Sequence, residues 1–141
     1  MRDLERAKEL LQNSSHNCVL CKDETTYTSD RTGIAPMMEF LDAGTDLCGF
    51  SAADRIVGKA AAMLFVLAGV REVYAEVLGE SALPVFERYG IAVSWGTIIP
   101  YIVNRRGDGP CPMEHAVRNI EEPTVAREAI RDALDRLRQP H

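Results

Sequence analysis

The chain has 141 residues, 46% hydrophobic and 26% charged, which is the size of one domain with enough apolar side chains for a core free of disulfide or metal staples. A formal charge of −5 with no basic stripe argues against nucleic acid as a partner, because phosphate neutralisation needs clustered Lys and Arg. The charged start "MRDLERAKELL" lacks an apolar leader, and the apolar run over residues 60–70 is too short to span a bilayer. The expected setting is therefore cytoplasmic and off the membrane, with the four cysteines reduced.

Residues 3–12 set Leu4, Ala7, Leu10 and Leu11 at helical spacing, and "NSSHN" ends that helix. "CVLCK", a turn at "DET" and "TTYTS" predict a hairpin. Side chains three apart in a strand face opposite ways, so the Cys18–Cys21 pair is not a metal knuckle. After the loop "DRTG", Pro36 opens a short helix carrying Met37, Phe40 and Leu41, and Gly44 ends it. At Ser51 the stretch "SAAD" has the cap-plus-acid spacing of a helix start, which predicts a helix from there to Gly69. Beyond Lys59 this helix is apolar nearly all round, the mark of an element buried mid-domain.

"VREVYAEVL" reads as a strand, "SALPVFERYG" as a helix closed by Gly90, and "IAVSW" as another strand. That order makes a right-handed parallel crossover. "TIIPYIVN" is extended. A glycine loop and a short helix from Pro112 follow, then a last helix over 123–138 with Ala126, Ile130, Ala133, Leu134 and Leu137 on one face. The expected fold is α/β: one domain over residues 1–141, a three-layer α/β/α sandwich on a mixed sheet.

The pieces "ADRIVGKAAA", "VYAEV", "PYIVNR" and "CPME" carry a resemblance. From about Cys18 to the last helix, the chain resembles a small family of uncharacterised proteins in the cytidine-deaminase-like superfamily. The resemblance implies the deaminase order of helix, hairpin, helix, strand, helix, strand, with an added helix after the hairpin. It also implies a cleft where zinc deaminases hold their metal, with His-x-Glu or Cys-x-Glu at one helix start and Pro-Cys-x-x-Cys at the next. Here the two starts read "SAADRIVGK" and "GESALPV", without a His or Cys in either. Zinc-dependent deamination is disfavoured, and no cofactor is expected.

Two sets of residues carry the functional expectations. Asp54, Arg55 and Lys59 stand at the border of the apolar helix, where Lys59 would hold an anionic group or pair internally with the Asp. The loops "DRTG" (Arg31, Thr32, Gly33) and "NRRGDG" (Asn104, Arg105) would line the same pocket if the deaminase topology brings them together. The expected ligand is a small anionic or nucleotide-like molecule. The second set is Cys111, Glu114 and His115. As i, i+3 and i+4 on one helix they read as a nucleophile, an orienting acid and a base, or as three metal ligands. With Pro112 at the first helical position, Cys111 as cap residue and Glu114 as third helical residue read more simply as a capping box that needs no chemistry. A cysteine-dependent enzyme and a homo-oligomeric assembly module are thus the alternatives to ligand binding. A homo-oligomer is expected from the resemblance.

Overall fold

The computed structural model describes residues 2–104 and 106–138. Helix α1 (Asp3–Gln12) precedes a hairpin of β1 (Cys18–Lys22) and β2 (Thr25–Ser29), then α2 (Ala35–Asp42). The chain next alternates β3 (Ser51–Val57), α3 (Lys59–Ala68), β4 (Glu72–Gly79), α4 (Ala82–Tyr89) and β5 (Ala92–Ile99). It closes with α5 (Pro112–Val117) and α6 (Pro123–Arg138). Among the described residues, five strands lie in the order β2-β1-β3-β4-β5. β1 runs antiparallel to both its neighbours, while β3, β4 and β5 are parallel. The sheet is mixed, as expected.

Helix α1 packs on one face against β1, β3 and the start of β4, and the other helices gather on the opposite face. The larger core there joins Leu20 of the sheet to Phe65, Phe86 and Ile130 of the helices, and the smaller one sets Leu11 of α1 on Val19 and Tyr74. Cys18 points into the larger core and Cys21 into the smaller, as strand alternation requires. Burying a large aliphatic or aromatic side chain such as these stabilises the fold by about 2–3 kcal/mol each.

Two sequence expectations are corrected. Residues 51–57 form a strand, and the helix begins only at Lys59, behind Gly58. "SAAD" has the spacing of a cap, yet small residues also suit a central strand squeezed between helices on both faces. β1 and β4 together take up the backbone hydrogen bonds of β3, and that pairing wins. "IAVSW" and "TII" are likewise parts of one strand, β5, held by β4 through Ile99.

The strand assignment sends Asp54 and Arg55 to opposite faces. Arg55 reaches the α1 side, where its guanidinium donates to Leu11 O (2.7 Å), Ser14 O (2.9 Å) and His16 O (3.1 Å) and pairs with Glu76 (2.8 Å). It binds one carbonyl of the last turn of α1 and two in the loop that follows. Asp54, opposite Cys18 in the ladder, lies in the larger core at 4% exposure. Its Oδ2 has no hydrogen-bond partner among the described residues. Desolvation pushes its carboxyl up to about 8, against the weaker pull of the Arg55 and Ile56 backbone amides. Burial also holds the Cys18 thiol well above its ordinary range, and the neighbouring Asp54 adds to the effect.

The raised Asp54 value ties stability to pH. The unfolded chain ionises this carboxyl near pH 4, the folded chain only near pH 8. The stability it contributes is complete below pH 4 and is lost as pH rises toward 8, at up to about 1 kcal/mol per pH unit. Thermal melts of an Asp54→Asn variant should match wild type near pH 4 and exceed it at pH 8; a constant offset across that range would contradict a neutral Asp54.

Candidate functional site

The parallel strands β3, β4 and β5 end side by side, and a cleft of about 560 Å³ opens just beyond them. In α/β sheets this is where ligands bind, because loops and helix starts converge there with free backbone donors. Lys59 after β3, Ser81 after β4 and Pro100–Ile102 after β5 all line it. Part of the lining is apolar and aromatic, from Met63, Pro84, Val85, Tyr89 and Tyr101. The rest is largely charged or polar: Lys59, Arg88 and Arg118, with His115, Glu114 and Glu121.

Glu114 closes the floor. Helix α3 has no side-chain cap of its own, and Glu114 of α5 supplies one from 54 residues away in sequence. Its Oε1 accepts from Lys59 N (2.8 Å) and Ser81 Oγ (3.2 Å), and its Oε2 accepts from Ala60 N (2.7 Å). One carboxylate therefore satisfies two of the donors that the start of α3 would leave unpaired and reaches the residue preceding α4. Gly58 makes room for it: a Cβ there would stand 2.6 Å from the Glu114 Cδ.

Above this floor Lys59 and Arg88 share one acid, Glu121. Lys59 Nζ donates to Arg118 O (3.2 Å) and lies 3.9 Å from Glu121 Oε1. Arg88 approaches Glu121 Oε2 at 3.6 Å and lies over the Tyr89 ring, 5.5 Å from its centroid. The Lys59 side chain is only 13% exposed, so its ammonium is a fixed feature of the cleft rather than a solvated surface charge. Its partners are Glu121 and a carbonyl, not Asp54.

The residues singled out in the sequence fall into separate places. Lys59, Glu114 and His115 share the cleft. Asp54 and Arg55 lie below it, one in the core and one under α1. Gly33 and Cys111 border a smaller apolar hollow that abuts the cleft through Glu114 and Ile102. Arg31 pairs with Glu39 at the surface (3.4 Å), and the Thr32 carbonyl accepts from Ala35 N. Asn104 closes its own turn with Asp108 and Gly107, and Arg105 lies outside the described residues.

The side chains of Cys111, Glu114 and His115 do not bond one another; only the His115 amide donates to the Cys111 carbonyl (3.0 Å). Cys111 is an extended cap residue, φ −61° and ψ 129°, and α5 has no side-chain cap bond, so the capping box is absent. Glu114 turns instead to α3 and Ser81. Among the described residues no three His, Cys, Asp or Glu side chains gather as metal ligands.

Arg88, Arg118, Tyr89, Tyr101, Ser81 and Glu121 escaped the sequence reading. Arg88, Tyr89 and Arg118 look like ordinary helix-end residues. Only Ser81 carried a signal, as the polar residue between a parallel strand and the next helix.

Comparison with known proteins places the chain. It belongs to the family described as TM1506, a domain of unknown function (DUF1893), whose model matches residues 6–134. It is similar to the crystal structure of the DUF1893 family protein TM1506 from Thermotoga maritima, with 26% identity and a TM-score of 0.82, over 96% of this chain and 91% of that one. A diaminohydroxyphosphoribosylaminopyrimidine deaminase/5-amino-6-(5-phosphoribosylamino)uracil reductase of Thermotoga maritima is more distant: 18% identity, TM-score 0.43, over 67% of this chain and 35% of that one. No functionally curated protein matches.

The Glu114 tie is open to a direct test. Gly58→Ala forces the methyl onto the carboxylate and should destabilise by about 1–3 kcal/mol in denaturant unfolding. In a Glu114→Ala background the same change should cost much less, a coupling that independent sites would not show.

Proposed function

For this member of the DUF1893 family we propose that the protein binds a small anionic, nucleotide-like ligand in the cleft beyond β3, β4 and β5, on a deaminase-like scaffold that works without zinc. The observation that carries this reading is the mixed lining of the cleft. Met63, Pro84, Val85, Tyr89 and Tyr101 offer apolar and aromatic surface, and Lys59, Arg88 and Arg118 supply cations beside it, Arg88 lying over the Tyr89 ring. A flat ring would rest on the aromatic surface, and a phosphate or carboxylate would meet the cations. A volume of about 560 Å³ lies within the range of small-molecule sites.

The absence of zinc ligands is a matter of residue type. The starts of α3 and α4 read Gly58-Lys59-Ala60 and Ser81-Ala82-Leu83, none of them metal-binding. Glu114 engages the donors there. The groups left to meet an organic anion are the cations beside that position, Lys59, Arg88 and Arg118. A cysteine-dependent reaction has less support, since Glu114 is engaged by α3 and Ser81 rather than by His115.

A thermal-shift panel of inorganic phosphate, ribose 5-phosphate, nucleosides and nucleoside monophosphates tests the proposal. At a hundredfold its Kd, a ligand adds about 2.7 kcal/mol, which for this size should raise Tm by roughly 5–10 °C. A monophosphate should shift the wild type, and Lys59→Gln or Arg88→Ala should abolish most of the shift without lowering the unliganded Tm by a comparable amount. No shift with any phosphate would end the reading.

A second reading, a homo-oligomer, is favoured by β5. This edge strand of eight residues contains no charge and no proline, and it exposes Trp95 and Ile98. Edges of that kind are normally blunted or covered, and a second copy adding its own β5 would cover both at once. Light scattering should then give a dimer that Trp95→Lys converts to monomer; a monomeric wild type at micromolar concentration would refute it.

A further inference from the structure

Glu121 stands at the mouth of the cleft on the short segment between α5 and α6, and its carboxylate addresses two cations on different elements. Oε1 faces Lys59 of α3 at 3.9 Å, and Oε2 faces Arg88 of α4 at 3.6 Å. Both distances are beyond hydrogen-bond length. The pairs neutralise charge without forming the short bonds that an oxyanion between the same cations would make. The carboxylate is 72% exposed, and exposed ion pairs are held by little free energy. Lys59 differs, for its ammonium is also fixed by the Arg118 carbonyl and stays aimed into the cleft whether or not Glu121 is near.

From this juxtaposition we infer that Glu121 is a built-in competitor for the anion site: it neutralises Lys59 and Arg88 in the empty cleft and must yield to the ligand's own oxyanion. The inference rests on the cleft being an anion site, as proposed above. It adds that the site's affinity is held down from within the chain, through a segment that continues directly from the helix carrying Glu114. The group that displaces Glu121 is a phosphate or carboxylate, since it must satisfy the same two cations. A neutral nucleoside, which cannot, is indifferent to Glu121.

The test compares inorganic phosphate and a neutral nucleoside as probes, by calorimetric or thermal-shift titration, on wild type, Glu121→Gln and Glu122→Gln. The Glu122 variant removes an equal charge one residue away. Glu121→Gln should bind phosphate roughly three- to tenfold more tightly than wild type, the worth of the exposed pairs it removes. Glu122→Gln should change phosphate affinity less than twofold, and nucleoside affinity should be equal in all three proteins. If wild type binds phosphate and Glu121→Gln binds it equally or more weakly, the competitor role fails while the cleft survives. Equal tightening by both variants would reduce the effect to net charge and overturn the inference. Absence of phosphate binding in every variant would overturn the cleft reading and the competitor role together.

Discussion

The Glu114 carboxylate lies across the starts of α3 and α4, accepting from Lys59 N, Ala60 N and Ser81 Oγ, and much of the functional end of the molecule is arranged around it. The beginning of α3 is wrapped in core and has no side-chain cap of its own, so its first amides would otherwise be buried and unpaired. A carboxylate suits that place better than a neutral cap, because the helix start is electropositive. Satisfying it from α5 fixes the C-terminal third of the chain to the ends of the parallel strands. The cleft exists because α5 is held there, opposite α4, with Glu114 as part of its floor.

Above that floor, the same segment brings opposite charges together without fully matching them. Lys59, Arg88 and Arg118 outnumber the acid that reaches them at the mouth, and the pairs with Glu121 are long and exposed. Structural ion pairs are usually shorter and better buried, as with Arg55, which satisfies three carbonyls and Glu76 beneath α1. The contrast separates a cation spent on holding the fold from cations left partly unspent at a concave surface. Arg127 and Arg131, both paired to Asp42, belong with Arg55: they pin α6 to α2 and lower the Asp42 carboxyl through direct hydrogen bonds.

The two faces of the sheet are unequally covered. Among the described residues, five helices lie on one side and α1 alone on the other, where it spans β1 and β3 and reaches only the start of β4. Tyr74 therefore sits at the limit of the small core, with the Lys8 ammonium 4.4 Å from its ring centroid, and β5 is left largely exposed. Gly96 of β5 admits the Glu76 carbonyl and Tyr74 hydroxyl, which a Cβ would meet at 2.9 and 3.2 Å. The open side thus follows from the shortness of α1 and not from poor packing within the sheet.

Read alone, the sequence determined the fold class and most of its elements, because those depend on local periodicity and punctuation. The hairpin of "CVLCK" and "TTYTS", the strand–helix–strand run through Gly90, and the final amphipathic helix are all legible from spacing. That neither "SAADRIVGK" nor "GESALPV" holds a His or Cys was equally plain. Residues 51–57 were misread because a small-residue strand buried on both faces has no alternation to betray it, and its identity rests on its neighbours β1 and β4. That shift moved Asp54 and Arg55 out of the site. The partner of Glu114, the company Lys59 keeps and the assembly of Arg88, Tyr101, Arg118 and Glu121 into one cleft were decided only by tertiary structure. Each joins residues tens of positions apart through the parallel crossovers, and no spacing within a helix or strand encodes such a meeting.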